Sequence, residues 1–99
     1  MIVAQVSVEI KENAINEFEQ IAREVVGAAR LMPGCVKNEW YRVPDLPRRY
    51  DFYGEFDSKE NFESYLQSAV VKRIGDELMP LLDGPPAFKH FEAVVFESS

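Results

Sequence analysis

Cysteine and histidine are nearly absent, with one of each in 99 residues. A lone Cys35 closes no internal disulfide, and Cys35 with His90 cannot supply the ligand set of a structural zinc site. Cys35 reads as a small hydrophobe rather than a nucleophile. Basic charge is scarce as well: 11 Lys and Arg stand against 17 Asp and Glu, a formal net charge of -6. Such a balance repels phosphate backbones and anionic lipid. Arg48-Arg49 and Lys72-Arg73 come nearest to basic clusters and read as solvated surface, so no nucleic-acid partner is expected. No apolar run approaches the roughly 20 residues of a membrane span, and the start Met1-Ile2-Val3-Ala4-Gln5 lacks the basic and apolar regions of a leader. A cytoplasmic protein with no membrane partner is expected. Glycine-rich phosphate loops, a nucleophile elbow and runs of metal ligands are all missing. Glu17, Glu19, Glu24, Glu60, Glu63 and Glu77 lie mainly off the apolar stripes, which leaves a paired-carboxylate mechanism without geometry.

What is present is ordinary globular material, 46% hydrophobic and 28% charged, of a length that suits one domain over residues 1–99. Ile2, Ala4, Val6, Val8 and Ile10 alternate with Val3, Gln5, Ser7 and Glu9, the period of a strand with one apolar face. Asn13 can cap a helix, and Ile15, Phe18, Ile21, Ala22 and Val25 recur at helical spacing, predicting a helix from about Ala14 to about Leu31 that Pro33-Gly34 ends. Val36 to Val43 and Arg49 to Phe56 are β-prone and flank the connection Pro44-Asp45-Leu46-Pro47. Asp57-Ser58-Lys59-Glu60 predicts a second helix with an acidic cap. Its stripe runs through Phe62, Tyr65, Leu66, Ala69 and Val70, while Gly75 and Pro80 predict a bend between Ser68 and Asp76. Gly84-Pro85-Pro86 forces an extended linker into a final strand within Phe88 to Glu97.

The order β-α-β-β-α-β is that of an α+β, ferredoxin-like plaited sandwich, in which right-handed crossovers put both helices on one face of an antiparallel sheet. The opposite face then needs a cover. Trp40, Tyr41, Tyr50, Phe52, Tyr53 and Phe56 load the central hairpin with more ring area than a half-covered sheet leaves in water, which predicts a homodimer through the sheet face.

Pro33-Gly34-Cys35, Glu39-Trp40-Tyr41-Arg42, Tyr53-Gly54-Glu55-Phe56-Asp57-Ser58, Asn61-Phe62-Glu63-Ser64-Tyr65-Leu66 and Leu82-Asp83-Gly84-Pro85-Pro86 together resemble the antibiotic biosynthesis monooxygenase domain. The resemblance covers essentially the whole chain. It implies a dimeric α+β barrel with one pocket per subunit between sheet and helices. Enzymatic members oxidise quinols or aromatic polyketides with molecular oxygen and use neither metal nor flavin, so no cofactor is expected. Family sequences often carry Glu and Trp where this chain has Gly54 and Phe56, and His where it has Tyr65 and Val70. The haem-degrading branch places an axial histidine late in the second helix, and Val71-Lys72-Arg73-Ile74-Gly75-Asp76 contains none.

Oxygenation without a cofactor needs a site that removes a phenol or enol proton, stabilises the anion and excludes water. Asn38, Tyr65 and His90 are the candidate polar set: an amide that donates to an oxyanion, a hydroxyl that donates or accepts, and an imidazole suited to proton transfer near neutral pH. Trp40, Phe52, Phe56 and Phe62 are the candidate substrate-binding rings. Each has a plainer alternative. The phenylalanines suit any ferredoxin-like core, Trp40 a dimer interface, Tyr65 a bond to a backbone carbonyl, and Asn38 and His90 the surface. The expected function is a monooxygenase acting on a small hydroxylated aromatic or quinol. The alternatives are a noncatalytic dimeric protein that binds a small apolar metabolite and a purely structural dimer.

Overall fold

Pairing of the alternating strands produces a four-stranded antiparallel sheet of order β2-β3-β1-β4, built from β1 (Ile2–Glu9), β2 (Cys35–Arg42), β3 (Arg49–Phe56) and β4 (Ala87–Glu92). The computed structural model describes residues 1–97. Helices α1 (Ile15–Ala29), α2 (Lys59–Leu66) and α3 (Ala69–Arg73) supply the crossovers, giving the ferredoxin-like α+β sandwich. Among the described residues no helix is long and apolar enough to cross a membrane.

The first helix differs at both ends from the periodicity. A 3-10 turn, Glu12–Ala14, precedes it without any side-chain cap from Asn13. It stops at Ala29 because Leu31, 86% exposed, has nothing to pack against. Phe18, Ile21, Ala22, Val25, Val26 and Ala29 form its buried stripe.

Ser58, not Asp57, caps α2: the Ser58 hydroxyl accepts from the Asn61 amide N–H at 3.1 Å. Asp57 instead accepts from the Asn61 side-chain amide at 2.9 Å. The break in the second crossover falls at Ser68, whose side chain caps α3 by accepting from Val71 N–H at 3.4 Å. A π-helical turn, Ile74–Leu78, and a 3-10 turn, Met79–Leu81, then carry the chain back to the sheet. The predicted bend between Ser68 and Asp76 is the break at Ser68, and Pro80 sits in a first-turn position that needs no N–H.

One expectation from composition is corrected by the register. Cα partners Trp40↔Phe52 and Arg42↔Tyr50 put Trp40, Tyr50 and Phe52 on the helix side with Phe56, where Tyr50 and Phe56 are fully buried. Only Tyr41 and Tyr53 of the six hairpin rings lie on the open face, which is otherwise dominated by Gln5, Ser7, Lys37, Glu39, Asp51 and Glu55. The ring area is therefore consumed inside the subunit, because alternation sends every second residue toward the helices. The final strand falls in the expected stretch, beginning one residue early at Ala87 and stopping at Glu92; Val94, Val95 and Phe96 are exposed and pair with nothing among the described residues.

Arg48 is likewise more than solvated surface. Its guanidinium donates to Ile10 O at 3.2 Å, to Asp83 at 3.1 Å and to Glu9 at 3.1 Å, tying the loop before β3 to the end of β1 and to the last linker. Lys72 and Arg73 pair with Asp76 and Glu77 one turn on, and Arg73 also reaches Glu24 of α1 at 2.8 Å.

Candidate functional site

The core between sheet and helices has two parts. One gathers Val8, Ile10, Phe18, Val25, Tyr50 and Leu78. The other gathers Ile2, Phe56 and Phe62, with Cys35 and Tyr65 packed on it. Between them lies an apolar cavity of about 150 Å³. Its floor is the helix-side face of the sheet, and its roof is Val71, Ile74 and Leu78 from α3 and the π-helical turn.

Most of the predicted site residues converge here. Asn38, Phe52, Phe56, Phe62, Tyr65 and His90 all line the cavity. Trp40 does not: it packs on Phe18 at 6.4 Å and beside Tyr50 at 5.9 Å, with the Arg23 guanidinium 5.6 Å from its ring centre. One aromatic wall comprises Phe56, Phe62 and Tyr65, with Phe56 and Tyr65 rings 4.8 Å apart and Phe62 5.5 Å from Phe56. His90 closes that wall edge to face with Phe62 at 5.1 Å. Phe88, His90 and Leu66 line the cavity and are exposed, marking where it opens beside the edge strand.

The polar members are unusual in lacking partners. The side chains of Asn38, Tyr65 and His90 make no hydrogen bond to any described residue; the polar atoms of Asn38 and Tyr65 are not sealed from solvent, and His90 is exposed. The plainer expectation for Tyr65, a bond to a backbone carbonyl, is thus not met. Only the backbone of Asn38 is engaged, its carbonyl accepting from Arg30 Nε at 2.8 Å. Burial pushes the Tyr65 hydroxyl up to about 12, reinforced by nearby Cys35, so it stays protonated at neutral pH and offers a hydrogen. The Cys35 thiol is also raised, first by burial, which keeps it an inert thiol. Among the described residues no group of His, Cys, Asp and Glu comes together that could hold a metal ion.

Residue-type reasoning overlooked the floor. Cα partners Asn38↔Gly54, Gly54↔Ala4 and Ala4↔His90 form one row across all the strands. Its polar members stand at the two sheet edges, and its two smallest residues lie between. The signal was available, since a glycine inside a central strand marks a close approach more often than a flexible point. Phe88 was also overlooked; it shares a face with His90 two residues on.

Comparison with known proteins places the chain. The sequence model of a family described as antibiotic biosynthesis monooxygenase matches residues 1–77. Among solved structures, one described as an antibiotic biosynthesis monooxygenase superposes with a TM-score of 0.87 at 18% identity, over 96% of this chain and 100% of that one. Rv0793 from Mycobacterium tuberculosis superposes with a TM-score of 0.88 at 13% identity, over 98% of each chain. Protein SO0527 from Shewanella oneidensis does so at 0.82 and 21% identity, over 91% of this chain and 87% of that one. At these identities the structures share the fold. No curated protein matches the sequence.

Proposed function

The chain belongs to the antibiotic biosynthesis monooxygenase family, and we propose that it oxidises a small hydroxylated aromatic or quinol with molecular oxygen in the cavity between sheet and helices. The observation that carries this is an apolar cavity ringed by aromatic side chains, with three polar side chains on its wall that have no partner among the described residues. The cavity of about 150 Å³ opens to solvent beside Leu66, Phe88 and His90, so a ligand with an apolar body and polar rim gains by burying its rings against the aromatic wall and by bonding these polar groups.

The residues divide the work by chemistry. His90, at the mouth, takes the hydroxyl proton of the substrate on an imidazole nitrogen that has no partner among the described residues. Tyr65 O–H donates to the oxyanion that forms, the Asn38 side-chain N–H at the far end of the row donates to a second substrate oxygen, and the low dielectric of the aromatic wall strengthens both bonds. Phe52, Phe56 and Phe62 hold the ring and exclude water. Electrons balance without an added reductant. A hydroxyarene with a free ring C–H gives a quinone and water, one oxygen atom of O2 entering the ring carbon and the other leaving as water. All four electrons come from the substrate.

A second copy of the chain is the proposed partner. It would cover the exposed Phe88, Phe91, Val94, Val95 and Phe96, an apolar series at the sheet edge and tail that monomers rarely leave in water. Light scattering on the purified protein reads this directly, as a mass of one or two chains.

Oxygen uptake across a panel of quinols and naphthols, with chelator present, tests the chemistry. Uptake that falls in Asn38→Ala and His90→Phe supports the monooxygenase. Binding without uptake would replace it with a carrier of small aromatics, and neither signal would remove both.

A further inference from the structure

We infer that Gly54, with Ala4 beside it, sets the size of the cavity, so that the site admits a flat ligand of one or two fused rings and rejects larger ring systems. This rests on the function proposed above and narrows its substrate class.

Gly54 is buried at the centre of the sheet, paired with Asn38 on one side and Ala4 on the other. Glycine in a central strand loses side-chain packing and pays backbone entropy, so it needs a local cause. At Gly34 and Gly84 the cause is a positive φ, 78° and 103°. Gly54 has no such backbone conformation, so its cause is space. A Cβ at position 54 would lie 3.1 Å from Asn38 Nδ2, 3.8 Å from Lys37 O and 3.9 Å from Phe56 Cε1. It would press on the amide that faces the cavity and would touch the aromatic wall at ordinary van der Waals distance.

The neighbouring rows show what the absence of side chains accomplishes. On one side the same face carries Trp40, Phe52, Val6 and Phe88, and on the other Phe56 and Ile2. Bulk there joins sheet to helices. Over Gly54 and Ala4 the floor drops, and the two halves of the core separate around the gap. A cavity of about 150 Å³ is of the size that accepts a single benzene ring when sealed. It opens beside Leu66 and His90, where a second ring would extend. The polar ends of the row, Asn38 and His90, stand three strand spacings apart, roughly 14 Å between backbones, so the long axis of the ligand lies across the strands.

Binding of 2-naphthol and of 1-hydroxypyrene, measured by fluorescence, tests the assignment. Wild-type protein is expected to bind 2-naphthol at least about tenfold more tightly than the four-ring 1-hydroxypyrene. Gly54→Ala is expected to weaken 2-naphthol about tenfold while circular dichroism and cooperative unfolding persist. In an Asn38→Ala background, where the amide no longer blocks the new methyl group, the same change should cost less than about threefold. Equal affinity for the two probes, or an unchanged affinity in Gly54→Ala, overturns the assignment. So does an equal loss in both backgrounds. Oxygen uptake on a naphthol that is indifferent to Gly54→Ala would leave the monooxygenase standing and remove only the sizing role. Failure of the wild-type protein to bind either probe would remove both.

Discussion

His90 on β4 meets Phe62 on α2 edge to face, ring centroids 5.1 Å apart and planes 83° from one another. The contact holds the imidazole against the aromatic wall of the cavity although the strand that carries it is exposed throughout. His90→Phe keeps that ring contact and removes the proton acceptor. Turnover should fall by about a hundredfold or more, the usual contribution of a positioned base, with the thermal midpoint unchanged. Undiminished turnover would take His90 out of the chemistry.

Tyr65 separates a structural hydroxyl from a ligand-binding one. Its ring packs on Phe56 at 4.8 Å, while its hydroxyl has no partner among the described residues. Tyr65→Phe should therefore leave stability within about 0.5 kcal/mol of wild type. The affinity for a hydroxylated aromatic should drop by about 1 kcal/mol, near fivefold. Denaturant melts alongside binding titrations measure both. Destabilisation without loss of affinity would make the hydroxyl structural.

Alkaline pH should weaken the fold through Tyr50. Burial, followed by donation of its hydroxyl to Glu19, pushes Tyr50 up to about 12 from the ordinary value of 10.0. The native state holds this proton more tightly than the unfolded chain, so its contribution is complete below pH 10 and is lost as pH rises toward 12. Tyr65 shares the direction and the window. Urea midpoints measured below and within that window should fall with pH, and fall less steeply in Tyr50→Phe. A parallel decline in the variant would assign the loss to other groups.

Arg48 clamps three segments by bonds of 3.1 to 3.2 Å to Ile10 O, Asp83 and Glu9. The ion pairs are partly exposed, which limits each to a fraction of a kcal/mol, but the bond to a backbone carbonyl adds a term that salt screens less. Arg48→Met should cost about 1 kcal/mol, and high salt should reduce the difference only in part. Complete loss of the difference in salt would show that the carbonyl bond contributes nothing.

Gly27 lies on the exposed side of α1, and a Cβ there would meet nothing within 4 Å. Gly27→Ala should stabilise the protein by about 0.5–1 kcal/mol through helix propensity and a less disordered unfolded chain. That corresponds to a rise of a few degrees in thermal midpoint for a chain of this size. A fall would mean that the exposed face of α1 is occupied in solution.

Much of the cavity wall was legible in residue order. Phe52 and Phe56 fall at period two on β3, and Phe62 and Tyr65 one helical turn apart on α2, so both pairs pointed to the same interior. Trp40 was indistinguishable from them by pattern, because a strand residue two places from Asn38 shares its face. Only the packing of Phe18 and Arg23 around its ring takes it out of the cavity. The caps were less legible: Asp57 and Ser58 are both good N-cap types, and the choice depends on which side chain reaches Asn61 N–H.

Local periodicity and turn chemistry determined the elements, their order and hence the ferredoxin-like sheet with helices on one face, since each of those follows from residues near one another in the chain. Tertiary structure decided which face the hairpin rings occupy, where the last strand ends, and that Asn38, Gly54, Ala4 and His90 form a single row. Register depends on pairing between distant segments, and a shift of one residue would send every side chain to the other face. The cavity is a property of that register alone: two small residues, 50 positions apart in sequence, fall side by side and leave the space that larger neighbours enclose.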